Sequence, residues 1–347
     1  MKKLFFCIVT IMLVILMSGC QNKNYNDTSN TSEKETNSNN DTNIQDSVVP
    51  DDLYNFSFST FVCEKSEELN GIPITIDDRA DEFLVSSYHD DTASQKTNMT
   101  ILGKDQNVVY EGSIYDPFVD KNIHTYTIPN LGDGLLGVDF PTVSVDAVTG
   151  DVFHYSLFPY DSELTEEEDY INYVKKVVGD KFDLSKLSYS ITTNYIVRSE
   201  NGFSTHNKEG FYVCGENERL ISYNMSFVKC INGIPTVNGV GATFSEEFFG
   251  ITINNTNFDD KLLSGLSSET EELNESVISH VNGVFSKSCI VTECSIESKS
   301  LFVKDGIPYV KAKVKVGFKY NKDDEESYYT FVTTITEITV NETTVSK

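Results

Sequence analysis

The chain has 347 residues and a formal net charge of −26 at pH 7, from 53 acidic and 27 basic side chains. So strong a negative charge repels phosphate backbones and excludes nucleic acid as a partner. Hydrophobic residues make up 39% of the chain, which is ample for a folded core, and the length suits two or three units of about 100 residues.

The first predicted element is a bacterial lipoprotein signal peptide over residues 1–19. A basic start is followed by the apolar run Leu4–Met17, which is shorter than the roughly 20 residues of a spanning helix. Ser18 and Gly19 are small enough to enter a signal peptidase, and they resemble a lipobox whose Cys20 is the lipidated residue. An ordinary cleaved signal and an uncleaved anchor are the alternatives. A lipid-anchored protein on the extracytoplasmic face of the membrane is therefore expected.

A polar segment follows the lipidation site. Residues 20–47 are almost entirely Asn, Ser, Thr, Asp, Glu and Lys, so they have too little apolar surface to repay the entropy of ordering. They predict a disordered tether with a span of roughly 30 Å. The acidic domain beyond it should be repelled by anionic membrane surfaces, so that only its acyl chains hold it there.

Residues 48–160 form the first predicted folded unit, which is rich in β-strand patterns and has one short helical candidate near Asp78–Val85. Asp133, Asp139 and Asp146 surround a glycine-rich stretch and have the oxygen chemistry of a site for a hard cation. Turn formation explains the same glycines equally well. We expect no metal and no other cofactor.

A repeated tetrapeptide marks the turns of the fold. Asn-Gly-Ile-Pro occurs at residues 70–73 and 232–235, and residues 305–308 have the same pattern with Asp first. Each copy lies between two apolar β-rich segments, and Asn-Gly or Asp-Gly in that setting is typical of a β-hairpin turn. The proline should begin the return strand, where a missing N–H donor costs least.

Two of these hairpins are preceded by predicted amphipathic helices over residues 163–178 and 268–285. Each begins with a capping box, Thr165 with Glu168 and Ser268 with Glu271. Each also has a single apolar stripe. The stripes consist of Ile171, Val174 and Val178 in the first helix and of Leu273, Val277, Val281 and Phe285 in the second.

The strand after the third tetrapeptide alternates strictly from Tyr309 to Tyr320. Its apolar positions are Val310, Ala312, Val314, Val316 and Phe318, and its basic positions are Lys311, Lys313, Lys315 and Lys319. One face should therefore be core and the other wet. The lysines favour an anionic binding partner. A salt ladder to Glu293, Glu297 and Glu337 on neighbouring strands is the alternative.

The segment Val143–Val152, VSVDAVTGDV, resembles the D-x-x-T-G-x-V turn that closes a PepSY repeat. The resemblance implies that Asp146 and Thr149–Gly150 shape a tight turn. It also implies PepSY-like or cystatin-like α+β units, which in envelope proteins bind or restrain partners. We therefore expect an α+β fold of tandem units, each with one helix packed on an antiparallel meander.

The expected units are a β-rich unit at 48–160, a PepSY-like unit at 161–258, and a helix with three strands at 259–347. None of the motifs for zinc hydrolysis, serine nucleophiles, phosphate loops or calcium loops occurs in the sequence. Five cysteines follow the tether, an odd number, and buried reduced thiols or one disulfide are both open. They are Cys63, Cys214, Cys230, Cys289 and Cys294.

The predicted function is a non-enzymatic module that binds or regulates an envelope protein or wall component. An envelope hydrolase with an unrecognised site is one alternative. A solute-binding lipoprotein is another, although such proteins alternate strands with helices, and the strands here come in hairpins.

Overall fold

The computed structural model describes residues 54–65, 75–131, 140–160, 163–199, 202–246, 248–256, 263, 265–266, 271–322 and 328–342. The first tetrapeptide, the lipidation site and the tether lie outside these residues. None of the helices in the described ranges is long and apolar enough to span a membrane.

The N-terminal part is mostly strand. The short helical candidate near Asp78–Val85 is confirmed as a 3-10 helix, Asp78–Phe83. A single-turn helix α1 (Asp91–Ser94) is capped by the Asp90 carboxylate, which accepts a hydrogen bond from the Ala93 N–H at 2.8 Å. The strands are β1 (Tyr54–Lys65), β2 (Ser86–Tyr88), β3 (Asn98–Ile101), β4 (Lys104–Asn107), β5 (Val109–Asp116), β6 (Lys121–Thr127), β7 (Thr142–Asp146) and β8 (Val152–Pro159), with a 3-10 turn at Pro129–Leu131.

The middle part contains the first predicted helix. Helix α2 (Glu167–Val178) begins after Glu166, which exchanges capping hydrogen bonds with Asp169, so the predicted box at Thr165 is displaced by one residue. Two 3-10 turns follow, Gly179–Lys181 and Leu184–Lys186. The strands are β9 (Ser188–Ser199), β10 (Gly202–Glu209), β11 (Glu218–Ile231), β12 (Ile234–Phe244) and β13 (Phe248–Asn254).

The C-terminal part follows the prediction closely. It consists of α3 (Glu271–Phe285), β14 (Ile290–Lys304), β15 (Ile307–Lys319) and β16 (Tyr328–Glu342). The hairpins at 232–235 and 305–308 are confirmed: Asn232 and Gly233 have φ of 49° and 79°, and Asp305 and Gly306 have φ of 52° and 77°. Positive φ at both central residues is the type I′ geometry that matches strand twist.

Most of the described strands form one sheet rather than tandem meanders. Fourteen of them join in the order β1-β16-β15-β14-β12-β13-β8-β7-β6-β5-β2, with β11, β9 and β10 extending from β12, and β3 and β4 pair separately. The predicted architecture of tandem α+β units is therefore wrong. Each meander has edge strands with unpaired backbone groups, and here these edges pair with one another: β13 with β8, β12 with β14 in parallel, and β1 with β16.

Both long helices pack on the same face of this sheet. Val174 and Val178 of α2 lie in one apolar cluster with Met225 and Phe244. In a second cluster Val277 and Val281 of α3 contact Val314 and Val332, so the helix stripe and the strand alternation predicted for this part are confirmed. The parallel bridge Thr236↔Leu301 keeps the two clusters on one side, because paired residues point to the same face.

The sheet curls towards its other face. Strand β5 is six strand spacings from β14, about 29 Å in a flat sheet. Nevertheless Phe118, in the β5–β6 turn, packs on Phe302 of β14 with ring centroids 5.3 Å apart. In the same turn the Asp120 carboxylate accepts a hydrogen bond from the Asp305 N–H at 3.3 Å. We call the concave face opposite α2 and α3 the open face.

Candidate functional site: the open face of the sheet

The predicted lysines lie on the open face, at its C-terminal end. The apolar positions of β15 are buried on the helix side, whereas Lys313 is exposed and Lys311, Lys315 and Lys319 are half-buried. The Lys311 Nζ lies 3.8 Å from the centre of the Phe118 ring. The Lys313 Nζ lies 4.2 Å from the centre of the Phe331 ring, in line with a cation–π contact.

The predicted salt ladder is only partly formed. Lys315 pairs with Glu293 at 3.4 Å, as expected. Glu337 instead pairs with Arg79 of the 3-10 helix at 2.7 Å, and Glu297 is exposed at a bulge between Ile296 and Ser298. Of the four predicted lysines, Lys315 is therefore paired with a carboxylate of this chain, and Lys313 is the most solvent-accessible.

The turn that crosses the open face is shaped by a buried carboxylate. Asp116 is 4% exposed, and its Oδ1 accepts a hydrogen bond from the Phe118 N–H at 2.9 Å. Burial raises the pKa of Asp116, and Lys311 partly offsets this. Lys311 of β15 therefore interacts with two residues of the turn, the ring of Phe118 and the carboxylate of Asp116.

Beyond this turn one long row of the open face is uncharged. Eight Cα-paired residues on eight neighbouring strands form one row in which no side chain is acidic or basic except a histidine. We call it the neutral row: Ser190, Ser226, Gly241, Thr252, His154, Ser144, Thr125 and Gly112. Eight strands extend over about 34 Å. Thr252 and Ser144 are buried and the other members are half-buried.

The residues on one side of the neutral row are also uncharged, although the Glu111 carboxylate accepts a hydrogen bond from the hydroxyl of Thr127 at the far end of that line, at 2.6 Å. On one side Thr192, Asn224, Thr243 and Gly250 are paired in sequence across β9, β11, β12 and β13. The same line continues on that side through Ser156, Thr142 and Thr127, which are paired across β8, β7 and β6. On the other side of the row lie Val228, Gly239, Asn254, Asp146 and Ile123, and Asp146 there is paired with Lys121 at 2.7 Å. The residues between these positions, such as Tyr223, Met225 and Phe227, are buried under α2.

Hydrogen bonds order the centre of the row. His154 Nδ1 lies 2.8 Å from Thr252 Oγ1, and the hydroxyls of Thr125 and Ser144 are 2.9 Å apart. Burial lowers the pKa of His154 to about 4, because a charged imidazole loses hydration there. At neutral pH the imidazole is uncharged, and the whole row is therefore neutral.

A small cavity lies beside the central part of the neutral row, at Thr252. Its volume is about 50 Å³, and its lining includes Val119, Phe153, Thr252 and Ser300. A single water needs about 10–15 Å³ of such volume, so the cavity holds only a few waters. It is too small for a drug-sized ligand, whose pockets measure about 300–1,000 Å³.

Asp146 is the only residue of the predicted cation site among the described residues, and its carboxylate shapes a turn. Asp146 Oδ1 accepts hydrogen bonds from the N–H groups of Val148 and Thr149 at 2.8 and 3.0 Å, and its Oδ2 pairs with Lys121 at 2.7 Å. Gly150 has a φ of 73°. Asp133 and Asp139 lie outside the described residues. Among the residues that are described, no three His, Cys, Asp or Glu side chains are placed to share a metal.

One cluster of catalytic residue types was missed by motif reasoning. Ser113 Oγ lies 2.7 Å from His124 Nδ1, and His124 Nε2 lies 4.0 Å from a carboxylate oxygen of Asp90. However, Ser113 is 2% exposed, and its Oγ also bonds the Tyr110 hydroxyl at 2.6 Å. A nucleophile must meet its substrate, so this network is structural.

The five cysteines in the described residues are free thiols: Cys63 and Cys289 are buried, as the interpretation of small buried thiols predicts, whereas Cys214, Cys230 and Cys294 are half-buried. The chain was then compared with known proteins. No family model, curated protein or solved structure matches it.

The neutral row was also missed by sequence reasoning, because its members are common residues spread from Gly112 to Thr252. A signal was nevertheless present. In an alternating strand such as β11, the wet positions Asn224 and Ser226 carry no charge, whereas those of β15 carry lysine. Wet strand positions without charge, in a chain with 53 acidic residues, mark an unusual surface.

Proposed function

We propose that the chain is a lipid-anchored, extracytoplasmic binding protein that holds a cell-envelope partner on its open face. One observation carries the proposal: α2 and α3 cover the same face of a continuous curled sheet, and the opposite face presents a concave polar surface. Binding and catalytic groups are commonly displayed on such a rigid scaffold.

The membrane anchor is supported by the sequence before the fold. Ser18 and Gly19 precede Cys20 after a short apolar run, and a polar tether of roughly 30 Å would let the sheet reach an envelope partner. The PepSY-like segment Val143–Val152 carries the same expectation of an interaction role. Neither the anchor nor the PepSY-like segment requires a catalytic activity.

The hydrolase alternative is less well supported. Ser113 and His124 are buried, and neither of them lines the cavity beside the neutral row. A solute-binding role is also disfavoured, since the cavity beside the neutral row measures about 50 Å³ and fourteen of the described strands join in one sheet rather than in two lobes.

Sedimentation with isolated envelopes of the producing bacterium tests the proposal. The mature lipoprotein should sediment with the envelopes after detergent removes lipid, and Thr243→Glu on the open face should abolish this. Thr92→Glu on α1, exposed on the covered side, makes the same change and should bind normally. Equal binding of both variants, with unchanged melting temperatures, would remove the open face from the function. Separately, Cys20→Ser should release the protein from the membrane.

A further inference from the structure

The neutral row differs from the rest of this protein in its chemistry. The chain carries 80 charged side chains if the 53 acidic and 27 basic residues are counted together. No acidic or basic side chain except His154 stands in the row or in the line of seven residues along one side of it, and the one carboxylate of the paired residues on the other side, Asp146, is neutralised by Lys121 at 2.7 Å. The open-face positions of β15, by contrast, carry four lysines. The open face therefore combines an ordinary charged end with a long uncharged floor.

The groups on this floor are short and both donate and accept hydrogen bonds. Serine and threonine hydroxyls have one donor and two acceptor lone pairs, and asparagine has both functions on one amide. Gly241, Gly112 and Gly250 leave space between them. Such a surface matches a ligand that presents many hydroxyls and no charge.

Other classes of partner fit less well. Protein interfaces are enriched in aromatic residues, Met and Arg at their cores, and Ser and Thr are rare among their hot spots. A second copy of this chain would also bring another charge of −26, which opposes association. An acyl chain offers nothing to hydroxyls, and a nucleic acid is repelled by the net charge.

We propose that the neutral row binds an uncharged polysaccharide, laid across the strands of the curled sheet. The inference rests on the proposed function and specifies its ligand class. The polymer's hydroxyls exchange hydrogen bonds with the side chains of Ser226, Thr243 and Asn224, half-buried members of the floor on β11 and β12. The length of about 34 Å available across eight strands favours a polymer over a single sugar.

Affinity electrophoresis tests the ligand class. Polysaccharide released from envelopes of the producing bacterium is separated by anion exchange into an uncharged and an anionic pool, and each pool is cast into a native gel. The mature protein should be retarded by the uncharged pool. Asn224→Asp adds one negative charge to the floor with almost no change of shape, and it should weaken retardation at least tenfold.

Asn107→Asp is the matched control, because it adds the same charge at an exposed position of β4, away from the open face. It should be retarded like the unchanged protein. Thr243→Val removes a hydroxyl without adding charge and should also weaken retardation, which covers the case in which Asn224→Asp does not fold.

Retardation by the anionic pool alone, or by neither pool, would overturn the inference. If envelopes still sediment the protein through the open face in that case, the proposed function stands and only the ligand class is wrong. If sedimentation is lost as well, both fail.

Discussion

Gly239 is the residue whose substitution tests the sheet most sharply. It pairs with Val228 on β11. Near this point the other edge of β12 passes from pairing with β14, at Thr236, to pairing with β13. A Cβ at this position would lie 2.1 Å from the carbonyl oxygen of Phe227 and 3.1 Å from the Val228 Cα. Both atoms belong to backbone, so a side-chain rotation cannot relieve the contact.

The cost of Gly239→Ala follows from that geometry. Inserting a methyl group into a packed core typically costs about 1–3 kcal/mol, and a clash with backbone should reach the upper end, about 3 kcal/mol. At roughly 2–4 °C per kcal/mol for a domain of this size, the melting temperature should fall by about 6–12 °C. Differential scanning calorimetry and urea unfolding measure both quantities.

Gly283→Ala provides the control of opposite sign. Gly283 lies inside α3, and a Cβ there would meet no atom within 4 Å. Alanine is favoured over glycine in a helix by about 1 kcal/mol, so this variant should be slightly more stable. If Gly239→Ala were as stable as the unchanged protein, the β11–β12 register would be wrong.

Three further results are expected. Val314 of β15 is fully buried under α3, so Val314→Asp should lower the free energy of unfolding by several kcal/mol. Lys313→Asp on the open face should lower it little. The reverse order in urea unfolding would mean that the strand register is shifted by one residue. Because burial holds the folded pKa of His154 at about 4, below its ordinary 6.5, the unfolded chain binds more protons between these values, and stability should fall as the pH drops through this window. His154→Asn should flatten that part of the profile, and an unchanged slope would count against the buried neutral imidazole. A chain beginning at Val48 should melt at the same temperature as one beginning at Gln21, and a loss of several degrees would show that the tether packs on the fold.

Local signals in the sequence predicted local structure well. The turns at Asn232 and Asp305, the stripe of α3 and the alternation of β15 all depend on residues close together in the chain, and all are present. Strand β10 was missed, since all of Gly202–Glu209 is exposed and such a strand has no apolar alternation to reveal it.

Long-range pairing could not be predicted in the same way. Strand β1 pairs with β16, so that Phe61 lies opposite Ile335, and the bridge Thr236↔Leu301 joins what the pattern treats as two units. These pairings give partners to the unpaired N–H and C=O groups of edge strands. The sequence pattern does not say which two edges will pair, because any exposed edge offers the same backbone groups. The neutral row depends on these pairings and appears only when the strand order is known.

The claim that the open face is the binding surface can be measured directly in cells. Thr243→Cys places a thiol on the open face, and Thr92→Cys places one at an exposed position of α1 on the covered side. A membrane-impermeant maleimide is applied to intact cells and to protein released in detergent, with the unchanged chain as background. We predict that Thr243→Cys is labelled several-fold less in cells than after release, while Thr92→Cys is labelled equally in both. Equal labelling of Thr243→Cys in the two states would contradict the account.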